Sequence, residues 1–179
     1  RGHADHAENE RADKLASEHF LDFYRRQHGL EPVILRFFNI YGPRQDPSSP
    51  YSGVISIFSE RAQKKLPITV YGDGEQTRDF VYVDDLVKIL VQAVAEAKPR
   101  MEPVNVGFNR STSVNDLATM LSELLGWPLA LTYDAPRSGD IRHSRAENSR
   151  LLAHFSLEKP TCFAEGLGQL LRSIDAGGR

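Results

Sequence analysis

The residues best suited to chemistry are two arginines and a few polar side chains set in apolar surroundings. Arg78 and Arg137 carry planar, permanently charged guanidinium groups, which suit phosphate oxygens. The competing role for Arg78 is a surface ion pair with its neighbour Asp79. Asp140 follows Arg137 by three residues. Asn39 closes an apolar run, the place where ligand groups of α/β sheets sit, and it also suits an Asx turn that ends a strand. Tyr71 offers an aromatic face beside the backbone of Ile68 to Val70, a wall for a flat polar ring or an ordinary half-buried strand tyrosine. Metal chemistry finds no ligand set. Asp73 lies in a Gly-Asp-Gly turn, Asp84 and Asp85 open a helix, and His3, His6, His19, His28, His143 and His154 lack ligand spacing. Cys162 is the single cysteine, which rules out an internal disulfide and suits a small core or surface residue.

These residues need elements to hold them. Arg11 to His28 places Leu15, Phe20, Leu21 and Tyr24 near helical spacing, with Gly29 as a stop. Pro32 to Phe38 is apolar and rich in β-favouring residues, as a strand buried on both faces would be. Asn39 to Ser52, with its Gly, Pro, Ser and Asp, predicts a long functional loop. Val54 to Lys65 predicts a helix, Ile68 to Tyr71 a strand, and Phe80 to Val83 a short extended piece. Asp84 caps a predicted helix reaching about Ala97. Val104 to Gly107 predicts a buried strand. Ser113 caps a helix of Leu117, Met120, Leu121 and Leu124, stopped by Gly126. Leu129 to Tyr133 predicts a strand, and Arg145 to His154 and Phe163 to Ile174 the last helices. The alternation is an α/β pattern. Only the strands before Asn39 and at Val104 look doubly buried, and two strands do not make a parallel sheet. Further strands escape this reading or lie outside the chain.

Composition narrows the function classes. The chain has 179 residues, 40% hydrophobic and 26% charged, enough for one domain with a core. A net charge of −2 gives no basic field for nucleic acid or an anionic membrane surface. No apolar run approaches the ~18 residues of a membrane helix. The polar stretch Arg1 to Glu10 is not a signal peptide, and a cytoplasmic location is expected.

Three segments, in this order, carry a resemblance. They are Arg36-Phe37-Phe38-Asn39-Ile40-Tyr41-Gly42-Pro43-Arg44-Gln45, the run from Val70 through Arg78-Asp79-Phe80-Val81-Tyr82-Val83-Asp84-Asp85, and Pro136-Arg137-Ser138-Gly139-Asp140-Ile141-Arg142-His143-Ser144. Together they resemble the extended short-chain dehydrogenase/reductase family, whose NAD-dependent epimerases and dehydratases act on nucleotide sugars. The stretch from Gln45 to Ile55 is most like its UDP-hexose 4-epimerase branch. The resemblance covers about Lys14 to Leu171. It implies the C-terminal part of a Rossmann-type doubly wound sheet plus a small α/β substrate-binding domain. Residues 1–52 would be a remnant of the NAD-binding domain and residues 53–179 mainly the nucleotide-sugar domain, with 79–107 returning to the Rossmann sheet.

The resemblance also implies roles. Arg78 and Arg137 would contact a diphosphate, Asp140 the ribose hydroxyls, and Asn39 the phosphate or sugar. Tyr71, with Thr69 and its strand backbone, would wall a uracil ring. Gln45, Val54 and Phe58 would line the sugar and base pocket, with ordinary core as the alternative for Phe58. Phe38 and Tyr41 would meet the nicotinamide end of NAD. Lys14 matches the lysine of the family's Tyr-x-x-x-Lys pair, whose members sit one helical turn apart. In that pair the lysine holds the nicotinamide ribose and makes the tyrosine a better base for the sugar 4-hydroxyl proton as hydride leaves for NAD.

Two departures qualify the expectation. Glu10 stands where the family has the tyrosine, and no Gly-x-x-Gly-x-x-Gly turn follows a first strand. Residues Arg1 to Glu10 depart from the family throughout, and one hypothesis is that Arg1 to Asn9 are an out-of-frame reading of the coding sequence. The leading expectation is thus an epimerase fragment that binds UDP-sugar and is inactive alone, with NAD expected of the family. The alternatives are a UDP-sugar-binding pseudoenzyme, a dehydratase or reductase of the family acting on another nucleotide sugar, and a fragment without a stable pocket. Expected partners are UDP-sugar and either a missing N-terminal half or a second copy forming a homodimer at the open strand edge; no nucleic acid, membrane or metal is expected.

Overall fold

One extended segment, broken at Phe38, carries the sheet. Its first part, β1 (Val33–Phe37), pairs in parallel with β6 (Arg100–Val106); its second part, β2 (Asn39–Tyr41), pairs in parallel with β5 (Phe80–Tyr82). The amide of Phe38 donates to the Val106 carbonyl and that of Asn39 to the Asp79 carbonyl, both at 3.1 Å. Successive amides of an extended chain point opposite ways, so β5 and β6 flank this segment on opposite sides. The loop expected from Asn39 therefore starts later, because Ile40 and Tyr41 find a distant partner strand. The structure is a computed structural model. It describes the backbone of residues 4–49, 53–95 and 100–177, and the side chains of residues 15–49, 53–95 and 102–174.

The remaining elements follow the α/β alternation: α1 (Ala4–His28), α2 (Val54–Gln63), β3 (Ile68–Tyr71), β4 (Thr77–Arg78), α3 (Val83–Ala95), β7 (Thr112–Ser113), α4 (Val114–Leu125), β8 (Leu131–Asp134), α5 (Ser149–His154) and α6 (Phe163–Gly177). β3 pairs in parallel with β8, and β4 pairs antiparallel with β7. Helix α4 is bounded as its sequence requires. Ser113 accepts from the Asp116 amide while the Asp116 carboxylate accepts from the Ser113 amide, and Gly126 ends the helix at φ 77°. Two helices differ from expectation. α3 begins at Val83, so Asp84 and Asp85 lie in its first turn, where carboxylates favour the helix dipole, and Asp84 does not cap it. α5 begins only at Ser149 because the preceding segment bonds elsewhere: the Ser144 amide to the Thr77 carbonyl, the Ala146 amide to the Asp79 carboxylate.

Two apolar clusters hold these elements. The larger joins Ile55, Phe58, Ile68, Val70, Leu117, Leu121, Leu167 and Leu170. The smaller joins Val81, Ile89, Val104, Val106, Leu151 and Phe155, from β5, α3, β6, α5 and the residue that ends α5. The expectation that β1 is buried on both faces is not met: along it only Ile34 is buried, and Phe37 is 48% exposed. Its second edge has no strand partner among the described residues, so part of its apolar surface lacks cover. Among the described residues no helix is long and apolar enough to cross a membrane, and no group of three or more His, Cys, Asp or Glu side chains could hold a metal ion. Cys162 is free and exposed.

Candidate functional site

Strand alternation builds the first wall of the site. Along β3, Ile68 and Val70 are buried in the core, which turns Thr69 and Tyr71 to the other face. That face borders a cavity of about 360 Å³. Asn39 enters it from the start of β2, and Val54 and Phe58 from α2. Phe58 is a buried member of the larger core and also lines this cavity. Arg78, Arg137 and Asp140 complete the lining. The volume and the mix of apolar walls with a few convergent polar groups suit a small organic ligand.

Gln45 alone among the expected substrate residues lies elsewhere. It lines an adjoining cavity of about 190 Å³ with Phe38, Asn39 and Tyr41, and its Oε1 is buried without a hydrogen-bond partner. A third, open cavity of about 940 Å³ runs along β1, between Ser17, Glu18 and Leu21 of α1 and Leu35, Phe37 and Phe38. Asn39 borders all three cavities. Its amide nitrogens hold it in place, the side-chain Nδ2 donating to the Asp79 carbonyl at 3.4 Å beside the backbone bond.

The charged groups are paired across motifs. Arg78 donates from NH1 to the carbonyls of Thr77 (2.9 Å) and Ile141 (2.6 Å), and from NH2 to the Asp140 carboxylate (2.5 Å). The neighbour pair Arg78–Asp79 does not form. Adjacent residues of an extended strand project to opposite faces, and Asp79 turns inward, fully buried. Arg137 lies over the Tyr71 ring, its guanidinium carbon 3.9 Å from the ring centre, a cation–π contact. Two cations and one carboxylate thus face a cavity beside an aromatic ring, an arrangement able to hold a phosphorylated group joined to a flat base.

The expected cofactor contacts are less well placed. Phe38 is half-buried beside the open cavity. The Tyr41 ring is interior, 3% exposed, packed edge-on against Phe80, Tyr82 and Phe163, with its hydroxyl donating to the Phe163 carbonyl. Burial pushes that hydroxyl's pKa up. Tyr41 thus supports β2 from the interior, while also bordering the 190 Å³ cavity. Glu10 and Lys14 fall on the backbone of α1, and their side chains lie outside the described residues.

Sequence reasoning missed Ile57, Gln76, Ser138 and Gly139, which also line the 360 Å³ cavity. Ile57 stands three residues after Val54 on one helix, a spacing that could have pointed to it. Gln76 donates to the Tyr71 carbonyl at 2.8 Å and so braces the aromatic wall. Ser138 and Gly139 lie inside the third motif, between its arginine and its aspartate.

Comparison with known proteins agrees with this geometry. Residues 11–107 match the NAD dependent epimerase/dehydratase family. The UDP-glucose 4-epimerase of Mycolicibacterium smegmatis is 36% identical over 158 residues, 88% of this chain and 50% of that protein. The crystal structure of UDP-glucose 4-epimerase with UDP-glucose from Thermotoga maritima superposes with a TM-score of 0.85 at 35% identity, over 92% of this chain and 52% of that one. The Thermus thermophilus UDP-glucose 4-epimerase complex with NAD gives 0.80 at 33% identity, over 92% and 53%. The chain spans about half the length of these relatives.

Proposed function

This chain belongs to the NAD dependent epimerase/dehydratase family, and from that premise we propose that its 360 Å³ cavity binds the UDP part of a UDP-sugar. The convergence of Arg78, Arg137, Asp140, Asn39, Thr69 and Tyr71 on one cavity, from three separate motifs, carries the reading. Arg78 and Arg137 would exchange their protein partners for diphosphate oxygens. Asp140, freed from Arg78, would accept from ribose hydroxyls, and Tyr71, uncovered by Arg137, would face the uracil. Gln45, with its unpaired buried oxygen, would meet the sugar beside Asn39. The T. maritima structure holds UDP-glucose, which supports this ligand class.

In this reading residues 53–179 form mainly the nucleotide-sugar part, and residues 1–52 belong to the NAD-binding part, to which 79–107 return. NAD is the family's cofactor, and the T. thermophilus structure contains it. The described residues fit it only at one end. Phe38 borders the open cavity, Tyr41 is enclosed in core, and the sequence holds no glycine-rich turn opening a helix for the pyrophosphate. Lys14 would hold the nicotinamide ribose, but Glu10 in place of tyrosine leaves no phenolic base, so no hydride or proton step is assigned to this chain alone. Epimerisation would need a second half whose parallel strand docks on the free edge of β1.

Calorimetric titration of the chain with UDP tests the reading. Heat of binding is expected, weakened by Arg78→Ala or Arg137→Ala; a folded chain that gives no heat refutes it. Supplying a relative's N-terminal half together with Glu10→Tyr should recover conversion of UDP-galactose to UDP-glucose.

A further inference from the structure

The pocket's charged rim is made of segments far apart in the chain, and a buried carboxylate lies where they meet. Asp79 follows Arg78 and is fully buried. Its Oδ1 accepts from the Phe108 amide at 3.1 Å; its Oδ2 accepts from the amides of Asn109 at 2.9 Å and Ala146 at 3.0 Å. Its carbonyl accepts from both nitrogens of Asn39. One residue therefore contacts the start of β2, the turn after β6 and the segment that leads back to Arg137 and Asp140. The packing around it leaves no slack. A Cβ added at Gly107 would run into the Ala146 side chain and lie 2.9 Å from the Asp79 carboxylate.

From this geometry we infer that Asp79 is a positioning residue of the nucleotide pocket. Its carboxylate clamps Ala146 and the 107–109 turn, and so holds the 137–144 segment closed against Arg78. Thr77 supports the same segment from the neighbouring position, its amide donating to the Arg142 carbonyl and its carbonyl accepting from the Ser144 amide. Thr77 fixes the middle of the segment and Asp79 its far end, which leaves Arg137 to Asp140 a short span over the cavity. The inference rests on the UDP reading for its ligand, while the clamp itself can be read without one.

Asp85 provides a matched control. Among the described residues it is the other buried aspartate, 1% exposed; it accepts from the Thr161 amide at 2.7 Å and Lys88 at 3.0 Å and does not line the cavity. An asparagine keeps the shape but turns one acceptor into a donor, facing a backbone amide at Asp79 and a backbone amide or the Lys88 ammonium at Asp85, so both variants should lower the melting midpoint. The two differ in what else they should do. Asp79→Asn is expected to weaken UDP binding about tenfold or more, and Asp85→Asn less than about twofold. The double variant Asp79→Asn/Arg137→Ala should lose less UDP affinity than the product of the two single losses, since part of what Asp79 does is to hold Arg137 in place. Amide hydrogen exchange over 137–144 should speed up in Asp79→Asn and stay unchanged in Asp85→Asn. If Asp79→Asn does not fold, Gly107→Ala opens the same clamp from the other side and should show the same pattern. An Asp79→Asn affinity equal to that of the unaltered chain, or losses in the double variant that simply multiply, overturns the inference. If the unaltered chain binds no UDP, the ligand reading falls and exchange decides the clamp: unchanged exchange over 137–144 overturns it as well.

Discussion

The two sides of the segment 33–41 differ in how completely they are covered. Past Asn39, the chain encloses its own core: Ile55, Ile68, Val70, Leu117, Leu121 and Leu167 are at most 2% exposed, and the 360 Å³ cavity is bounded by α2, β3 and the third motif. Before Asn39, β1 lies against β6 on one edge and has no strand partner on the other among the described residues; it borders the 940 Å³ cavity, and Phe37 stays half exposed. The same strand thus has a finished end and an open end, separated by a single residue. The cavity on the covered side is walled by elements that share one core, whereas β1 has no strand beside its second edge among the described residues.

Stability should show the contrast most strongly. Leu117→Ala, which empties a fully buried site, is expected to cost about 2–5 kcal/mol, and Phe37→Ala less than ~1 kcal/mol. Urea unfolding measures both. Equal costs would mean that the open end is covered in solution, by a second copy or by another segment. Next in size is ligand binding. Arg78→Ala should weaken UDP about tenfold to a hundredfold, through loss of charge-assisted bonds, while Phe37→Ala leaves the UDP affinity unchanged. A matching loss in both would show that the two ends are coupled through Phe38. Third is association. A charge on the open edge, Phe37→Glu, should reduce self-association seen by light scattering on a sizing column. A chain that is monomeric before the change would remove edge pairing from the account.

The same contrast explains what the sequence let one read. Thr69 and Tyr71 were singled out by the resemblance, and the structure adds that period-two alternation along β3 turns both to the cavity. The capping box of Ser113 and Asp116 and the stop at Gly126 were legible because both signals are local to the helix ends. β4 and β7 were not, since two residues carry no period and the ladder joins Arg78 to Thr112 across the chain. The packing of the Tyr41 ring against Phe80, Tyr82 and Phe163 was not legible, because no local pattern reports those distant partners. Arg78 pairs with Asp140 rather than Asp79 for a reason visible only once β4 exists: consecutive side chains of a strand part company. The inward turn of Asp79 was hidden likewise, because its three amide donors come from two other segments.

The smallest expected effect concerns the rim of the finished end. The Arg142 guanidinium donates to both oxygens of Asp73, at 2.9 and 2.8 Å, with both side chains more than half exposed. That bond, with the Glu75 amide bond behind it, holds the Asp73 pKa below its ordinary 3.8. A carboxyl whose folded pKa is lowered stabilises the fold above its unfolded pKa, and the benefit fades as pH falls through the lower folded value. The unfolding midpoint should therefore exceed that of Asp73→Asn by a constant margin from pH 7 to about pH 5, and the margin should shrink below the ordinary value and vanish only below the lowered folded one. Being exposed, the pair should also lose part of its margin in high salt. A margin that persists at low pH would assign the Asp73 contribution to the geometry of the Gly72–Gly74 turn, with no part for its charge. The UDP affinity should follow the same pH trend only if the Arg142 anchor helps Thr77 hold the 137–144 segment, so one titration series reads both the rim and the pocket.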